Sequence, residues 1–315
     1  MINKTVLISA AGGSFFPYIL KLLGGNYRLI LTDALEDVGR LYPNQLFLKV
    51  PKAGSMEFKA EIKKIISDYH VDYYIPLIDQ EISIVLDIGR EVKSLRVISP
   101  NLEFVNLCLD KYKLMTVLKE SKISQIKTCL GNDFKENFGF PVFIKPIAST
   151  GSRGTWRVDN IDQFEAYFKL EEFKKDQVLV QEFLTGQEYT ISVTVNNLNS
   201  LMAIVPKKII TKKGITIHAF TQRNQAVTNA CRKIVDQLHP SGPFNVQLML
   251  VGNEVKIFEI NPRFSTTSIL TCEAGINEFA MCIESYDRKE VAFIDSFREK
   301  LFLYRRWESC FYEDK

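Results

Sequence analysis

The sequence predicts a mixed protein, with a doubly wound parallel α/β sheet in residues 1–100 and an α+β part with antiparallel strands after it. Two observations support this prediction. Up to about residue 100, short apolar strands alternate with helical segments. Beyond that point, a helical segment is followed by several short strands and a hairpin, without further α/β alternation.

The first hundred residues begin with TVLISAAGGSFFPYILKLL, which predicts a strand, a glycine turn and a helix. Pro17 suits the first turn of that helix, where the missing amide hydrogen breaks no hydrogen bond. Further predicted strands are YRLILTDA, NQLFLKV, VDYYIPLID and LRVISP, and EFKAEIKKIISDY predicts an amphipathic helix. Such alternation favours parallel strands joined by crossovers.

From Asn101 the pattern changes. The segment NLEFVNLCLDKYKLMTVLKES predicts one long helix, and the segments PVFIKP, QVLVQEFL and EYTISVTV predict strands. The segment NVQLMLVGNEVKIFEINPRFSTTS predicts a hairpin, followed by a helix that STTS can cap near Ser268.

The hairpin in residues 245–261 has a polar face. A two-residue turn at Gly252 and Asn253 would mix polar and apolar residues on both faces, whereas a three-residue turn at 252–254 separates them. The three-residue turn pairs Asn245 with Asn261, Gln247 with Glu259 and Met249 with Ile257, and it leaves Val246, Leu248, Phe258 and Ile260 on the apolar face. We therefore predict that turn, and a face of carboxylate and amide oxygens that suits a hard cation.

The composition limits the function classes. A chain of 315 residues with 46% hydrophobic and 24% charged residues is typical of globular proteins, and a net charge of +3 with scattered lysines and arginines does not indicate a nucleic-acid surface. No apolar run approaches the roughly 18–20 residues of a membrane span. The six cysteines form no Cys-x-x-Cys pair, which favours free thiols in a reducing compartment. We expect a cytoplasmic protein.

Two loops of small residues are candidate ligand sites. The first loop is AAGGS, residues 10–14. Its spacing along the sequence to Asp33 is typical of a dinucleotide site, but its glycine pattern favours a tight strand-to-helix turn. In FIKPIASTGSRGTW, Lys145 ends a strand before a loop whose backbone amides can approach an anion. This second loop is not a P-loop, and by itself it also fits a flexible hairpin.

The segment VLVQEFLTGQEYTISV places Gln181, Glu182 and Phe183 at the end of an apolar strand, with Glu188 six residues after Glu182. The main-chain groups of a strand edge can bind an adenine, and a nearby carboxylate can bind ribose hydroxyls. By itself the pattern also fits a solvated surface strand.

Taken in order, the Lys145 loop, the acidic strand and the hairpin ending in Asn-Pro-Arg resemble the ATP-grasp superfamily. The hairpin is similar to the metal-binding hairpin of the large subunit of carbamoyl-phosphate synthase, including Gln in the first position. The resemblance implies a Rossmann-like domain at 1–100, a two-lobed ATP-grasp domain at 101–295 with lobes 101–176 and 177–295, and a tail at 296–315.

The resemblance also implies roles for individual residues. Nucleotide contacts would come from Lys111, Lys145, Ser149, Thr150, Gly151, Ser152, Gln181, Glu182, Phe183 and Glu188. Gln247, Glu259 and Asn261 would bind one or two Mg²⁺ ions, with Mn²⁺ as an alternative. Arg263 and Lys145 would act on the phosphoryl group during its transfer.

Six further residues are candidates for substrate or phosphate contacts. Asp79 and Glu81 follow the strand VDYYIPLID, at the sheet edge where ligands of open α/β sheets bind, although acids at a helix N-terminus fit the same pattern. Arg153 could pair with a substrate carboxylate. His218 lies in a segment that could border the phosphates together with Lys207 and Lys208.

The resemblance implies an ATP-dependent ligase that activates a carboxylate as an acylphosphate and joins it to an amine, releasing ADP and phosphate. Its partners would be small-molecule substrates, without nucleic acid or membrane, and a homodimer is left open. One alternative is phosphorylation of bicarbonate, as in carbamoyl-phosphate synthase. Two features argue against it: the chain has a single grasp unit where the synthase has two, and Thr266 stands where the synthase motif has a further arginine. The other alternative is a non-catalytic ATP-binding regulatory protein.

Overall fold

The computed structural model describes residues 4–147, 153–287 and 292–312. Within these ranges the chain forms one parallel sheet and two antiparallel sheets, with helices packed against them. The predicted fold class is confirmed. The division into domains at residues 100 and 295 stays a prediction.

The parallel sheet contains the five strands expected from the sequence. They are β1 (Thr5–Ile8), β2 (Arg28–Asp33), β3 (Leu46–Lys49), β4 (Tyr73–Ile75) and β5 (Arg96–Val97), in the spatial order β3-β2-β1-β4-β5. The helices between them are α1 (Phe16–Leu23), α2 (Phe58–Asp68) and α3 (Asp79–Glu91). Val6 and Ile8 pack with α1 on one face, while Leu7 packs with α2 and α3 on the other.

The AAGGS turn after β1 is stabilised by Asp33. The Gly12 amide donates to Asp33 Oδ2 at 3.0 Å, and the Leu35 amide donates to Asp33 Oδ1 at 3.0 Å. Pro17 lies in the first turn of α1, as predicted. These contacts support the interpretation of AAGGS as a tight strand-to-helix turn.

The prediction of one long helix after Asn101 is wrong, because the helix is interrupted at Asp110. The segment forms α4 (Leu102–Leu109) and α5 (Lys111–Glu120). Asp110 is extended, with φ −97° and ψ 94°, and its carboxylate accepts a hydrogen bond from the Lys113 amide at 2.9 Å. An aspartate that caps a helix in this way competes with a continuous helix, and the break places Lys111 in the first turn of α5.

The first antiparallel sheet contains four strands. They are β6 (Thr128–Leu130), β7 (Val142–Pro146), β8 (Trp156–Val158) and β9 (Val178–Glu182), in the order β6-β9-β7-β8, with α6 (Ile161–Leu170) alongside. Because β9 lies between β6 and β7, it is not an open edge of the sheet, and the adenine contact of Gln181–Phe183 stays a prediction. The Glu182 amide donates to the Lys127 carbonyl at 3.0 Å, and the Phe183 amide donates to the Pro141 carbonyl at 3.2 Å.

The second antiparallel sheet contains six strands. They are β10 (Gln187–Val195), β11 (Leu201–Lys213), β12 (Ile215–Thr221), β13 (Pro243–Val251), β14 (Glu254–Asn261) and β15 (Phe302–Tyr304), in the order β14-β13-β10-β11-β12-β15. Helix α7 (Gln225–Leu238) packs on one face, where Ile191 and Val193 meet Ile234. Helix α8 (Ser268–Glu273) begins where the sequence predicts it, and α9 (Glu278–Glu284) follows.

The β13–β14 hairpin has the predicted pairing near the site but not the predicted turn. Asn245 pairs with Asn261, and Gln247 pairs with Glu259. Val251 pairs with Glu254, however, so the turn contains two residues rather than three. The two findings are compatible because Leu248 pairs with Ile257, which leaves Phe258 as the extra residue of a β-bulge.

The bulge changes the face on which Phe258 lies. Ile257 is fully buried in the core, whereas Phe258 is only partly buried and lines a cavity together with Glu259. The prediction that Phe258 belongs to the apolar face, and that Met249 pairs with Ile257, is therefore wrong. The bulge supplies the one-residue shift that we assigned to the turn.

The C-terminal residues join the second antiparallel sheet, because β15 pairs with β12. The next residue, Arg305, is 8% exposed. Its guanidinium donates to Ser14 Oγ at 3.1 Å, to the Thr266 carbonyl at 2.9 Å and to the Thr216 carbonyl at 3.2 Å. Arg305 thus connects the glycine turn of the parallel sheet to the loop that follows Arg263.

Two expectations from composition can be compared with the structure. All six cysteines are free, as predicted. Among the described residues, no helix is both long enough and apolar enough to cross a membrane.

The two-residue turn leads to a stability prediction. Gly252 has φ +60°, a conformation that glycine adopts without strain and alanine does not. We expect Gly252→Ala to lower the free energy of unfolding by about 1 kcal/mol, measured by urea denaturation. Gly25→Ala is the matched control, because Gly25 lacks a positive φ and a Cβ there would meet no atom within 4 Å. Equal stabilities of the two variants would contradict the turn.

Candidate active site

Two adjoining cavities lie where the three sheets meet. The first cavity has a volume of about 450 Å³ and lies between the two antiparallel sheets. Seven residues that the sequence predicts to bind the nucleotide or the metal line it: Lys111, Lys145, Gln181, Glu182, Phe183, Glu188 and Glu259. The second cavity has a volume of about 470 Å³ and lies between α3, the α4–α5 junction and the end of β14. Five residues that the sequence predicts to belong to the site line it: Asp79, Lys111, Arg153, Glu259 and Asn261. Lys111 and Glu259 line both cavities.

Two buried lysines lie at the junction of the cavities. Lys145 ends β7, is 7% exposed and donates to the Phe258 carbonyl at 2.8 Å. Burial lowers the pKa of Lys145 to about 8, although the nearby Glu259 carboxylate opposes the shift. Burial also lowers the pKa of Lys111, whose ammonium donates to the Ile147 carbonyl at 3.3 Å. A bound anion here would stabilise both ammonium groups.

The polar face of the β13–β14 hairpin opens on the same junction. Gln247 Nε2 donates to Glu259 Oε2 at 2.8 Å, and Asn261 Nδ2 lies 3.4 Å from Asn245 Oδ1. The register therefore brings Gln247, Glu259 and Asn261 together on one face, as the sequence predicts.

Lys212 also reaches this face, and sequence reasoning missed it. Its ammonium donates to Glu188 Oε1 at 2.6 Å and to Gln247 Oε1 at 2.8 Å. Register shifts in β11, between Ile209 and Thr211 and again after Thr211, set the side on which Lys212 lies. Strand alternation alone gives no signal for such shifts.

The side-chain oxygens on this face fit a hard cation. The Lys212 ammonium bridges the oxygens of Glu188 and Gln247, so a positive charge already occupies part of this face. In the described ranges, no group of three or more His, Cys, Asp or Glu side chains could hold a metal ion. The donor set is therefore one carboxylate, Glu259, with the amide oxygens of Gln247 and Asn261, which suits Mg²⁺ better than zinc.

Arg263 pairs with Asp79, which lines the second cavity. Its Nε donates to Asp79 Oδ1 at 2.8 Å, and its Nη2 donates to Asp79 Oδ2 at 3.1 Å. Arg263 lies at the end of the hairpin and Asp79 begins α3, so the pair joins the second antiparallel sheet to the parallel sheet. In this structure the Arg263 guanidinium is paired with Asp79, and its role in phosphoryl transfer stays a prediction.

Glu81 lies in the first turn of α3, with its carboxylate buried against the parallel sheet, and it lines neither cavity. It is 1% exposed and accepts hydrogen bonds from Ser9 Oγ, from Tyr74 Oη at 2.9 Å and from the Leu77 amide at 3.0 Å. Burial raises the pKa of this carboxyl to about 7. The expectation of a substrate contact is wrong, because the carboxylate is occupied in holding the N-terminus of α3.

Lys208 and His218 line neither cavity. Lys208 lies opposite Phe220 with its ammonium 6.0 Å from that ring, and His218 packs between the rings of Phe302 and Tyr304. Lys208 lies on the opposite face of β11 from Lys207, and the contacts of Lys208 and His218 with the phosphates stay predictions. Lys207 instead donates to Ser192 Oγ at 2.6 Å in a buried network.

Part of the predicted nucleotide site cannot be placed. Ser149, Thr150, Gly151 and Ser152 lie outside the described residues. Arg153 is described, is exposed, and lies on the wall of the second cavity.

Comparisons with known proteins agree with this geometry. Residues 174–301 match the model of a family described as ATP-grasp in the biosynthetic pathway with Ter operon. Formate-dependent phosphoribosylglycinamide formyltransferase of Nitratiruptor sp. is 26% identical over 247 residues, which cover 73% of this chain and 63% of that protein. The carbamoyl phosphate synthase large chain of Pyrococcus furiosus is 26% identical over 200 residues, which cover 56% of this chain and 19% of that protein.

A solved structure extends the likeness to nearly the whole fold. Biotin carboxylase of Campylobacter jejuni, in a complex with β,γ-ATP, has a TM-score of 0.76 and 16% sequence identity, and the match covers 95% of this chain and 74% of that one. This chain thus has the ATP-grasp fold, and the resemblance to the ATP-grasp superfamily that its motifs indicate is confirmed.

Proposed function

We propose that the chain is an ATP- and Mg²⁺-dependent ligase that joins a carboxylate to an amine through an acylphosphate and releases ADP and phosphate. One observation carries the proposal. The two cavities meet at Lys111 and Glu259, so a nucleotide in the first cavity can direct its terminal phosphate towards an acceptor in the second. ATP-grasp enzymes use ATP with Mg²⁺, which is why these substrates are the natural candidates.

The first cavity would hold the nucleotide. Its volume and its mixture of apolar and charged walls suit a small polar ligand with an aromatic part. Phe183 and Leu184 would contact the base, with Gln181 and Glu182 behind them, and Glu188 would bind the ribose. Lys145 and Lys111 would contact the phosphates, and the loop residues Ser149–Ser152 are retained as proposed contacts from the sequence.

The polar face of the hairpin would hold the metal. Gln247, Glu259 and Asn261 would bind one or two Mg²⁺ ions, with Mn²⁺ as an alternative. When bound, Mg²⁺ neutralises charge on the β and γ phosphates. Lys212 adds a further cation beside this set, on Glu188 and Gln247, which would limit the repulsion between the phosphates and Glu188.

The second cavity would hold the carboxylate that accepts the phosphoryl group. A carboxylate oxygen attacks the γ-phosphorus as the bond to ADP breaks, and an amine then displaces phosphate from the acyl carbon and loses a proton. Phosphoryl transfer needs positioning and positive charge rather than a protein nucleophile. Lys145, Lys111, Arg153 and Arg263 would supply that charge from the two sides of the junction.

Removing the Glu259 carboxylate tests the proposal. We expect Glu259→Ala to lower kcat/KM for MgATP by about 100-fold or more, because the only carboxylate of the proposed metal site is lost. Release of ADP should be measured with panels of carboxylates and amines and with bicarbonate. The matched control is Glu254→Ala on the same hairpin, because the Glu254 side chain is 74% exposed and pairs with Lys256.

The panels also separate the alternatives. ADP release that requires a carboxylate and an amine supports the ligase, whereas release with bicarbonate alone indicates chemistry like that of carbamoyl-phosphate synthase. Tight ATP binding without turnover under any condition would indicate a regulatory protein. Full Mg²⁺-dependent activity in Glu259→Ala would refute the metal assignment.

The low pKa of Lys145 predicts a pH dependence of nucleotide binding. Below its folded-state pKa of about 8 the side chain is an ammonium group, and this charge is lost as the pH rises through that value. Bound phosphates raise the pKa, so we expect the Kd for MgATP to increase by up to about tenfold per pH unit above pH 8. Fluorescence titrations with a labelled nucleotide between pH 7 and 9.5 would measure it.

Lys145→Arg is the matched control for that titration, because the guanidinium stays charged throughout this pH range. Its Kd should stay nearly constant where that of the unmodified protein increases. An identical pH dependence in both proteins would assign the effect to another group.

A further inference from the structure

Asp79 lines the second cavity and forms a bidentate ion pair with Arg263, the residue that directly follows the cavity-lining segment 259–262. Both hydrogen bonds are short, at 2.8 and 3.1 Å. The Asp79 side chain is 9% exposed and that of Arg263 is 21% exposed, so both charges have lost most of their water. Each group therefore depends on the other for compensation, unlike the exposed ion pairs of the surface.

The pair also has a particular place in the fold. Asp79 begins α3 on the parallel sheet, and Arg263 follows the β14 strand that carries Glu259 and Asn261. The two residues are separated by 184 positions in the chain. The pair therefore connects α3, on one wall of the second cavity, to the strand that carries Glu259 and Asn261.

The chemistry of the pair restricts which ligands can displace it. A ligand with only a carboxylate would occupy Arg263 and leave the Asp79 carboxylate without a partner. A ligand with only an ammonium group would leave the Arg263 guanidinium without a partner. Each outcome costs the free energy of an uncompensated buried charge. A ligand that carries both charges on one carbon atom satisfies both residues at once.

We propose that the second cavity selects a small α-amino acid, whose carboxylate replaces Asp79 on Arg263 and whose ammonium group replaces Arg263 on Asp79. This inference rests on the proposed function, because the carboxylate held in this way is the one that ATP would phosphorylate. In the resting protein, the two halves of the amino-acid site are paired with each other.

The remaining walls agree with such a ligand. Cys108, Leu109, Ile260 and Pro262 give the cavity an apolar part that can receive an amino-acid side chain. A volume of about 470 Å³ is enough for a single amino acid and for part of a second substrate. Lys111 and Glu259 lie at the opening towards the first cavity, where the carboxylate would meet the terminal phosphate.

The reaction balances with this ligand as the acyl donor. One carboxylate oxygen forms the new bond to the γ-phosphorus, and the bond between that phosphorus and the bridging oxygen of ADP breaks. The amine of the second substrate then attacks the acyl carbon, phosphate leaves with the bonding electron pair, and the amine proton passes to solvent. The donor's own ammonium group stays protonated on Asp79 and so cannot attack.

Calorimetric titration of the full chain tests the proposal without requiring turnover. The protein, with Mg²⁺ and a non-hydrolysable ATP analogue, is titrated with a panel of α-amino acids and with the matched acids that lack the amino group, for example L-alanine against propionate. We expect the best amino acid to bind at least about tenfold more tightly than its matched acid. Equal affinities would overturn the proposal.

Asp79→Asn tests the assigned partner of the ammonium group. We expect the affinity for the amino acid to fall at least about tenfold, while the matched acid binds as well as before or better, because Arg263 is no longer paired with a carboxylate. Equal losses for both ligands would show that Asp79 only positions Arg263, and this result would overturn the proposal. The control is Asp87→Asn on the same helix, where the Asp87 side chain is 50% exposed and pairs with Arg90.

Parallel measurement of ADP release separates this inference from the proposed function. Preferential binding of amino acids without ADP release under any condition would support the amino-acid site and refute the ligase. ADP release with simple carboxylates as readily as with amino acids would support the ligase and overturn the amino-acid site. If Asp79→Asn does not fold, as judged by circular dichroism, the comparison of ligands on the unmodified protein decides the question.

Discussion

The β-bulge at Phe258 is the constraint on which the site depends. It shifts β14 by one residue, so that Ile257 enters the core while Glu259 stays opposite Gln247 on the polar face. It also directs the Phe258 carbonyl to the buried ammonium group of Lys145. An unbulged hairpin with the same turn would place Glu259 opposite Val246 and remove the carboxylate from the junction of the two cavities.

The remaining groups at the junction are held by contacts between distant segments. Asp110 interrupts the helix so that Lys111 begins α5 beside the site, and Arg263 reaches Asp79 on the parallel sheet. Lys111 of α5, Lys145 of β7 and Lys212 of β11 bring positive charge from three elements to one place, where the carboxylate of Glu259 balances part of it. Such an arrangement favours a ligand that carries several negative charges together with a divalent cation.

The sequence predicted the features that depend on local pattern. Alternating apolar segments gave the five parallel strands, and the order of motifs gave Lys145, Glu259 and the ATP-grasp resemblance. It could not predict the bulge, because a three-residue turn and a two-residue turn with a bulge give the same pairing near Gln247. It also missed Lys212, whose face is set by register shifts, and the Asp79–Arg263 pair, which no local pattern encodes.

The central claim is that the nucleotide and the acceptor occupy two cavities that meet at Lys111 and Glu259. A crystal structure of the full chain with Mg²⁺ and a non-hydrolysable ATP analogue tests it most directly. The account predicts the adenine beside Phe183 and the terminal phosphate between Lys145 and the Glu259 side of the hairpin, pointing towards the second cavity. A nucleotide bound elsewhere, or one whose terminal phosphate points away from the second cavity, would contradict it.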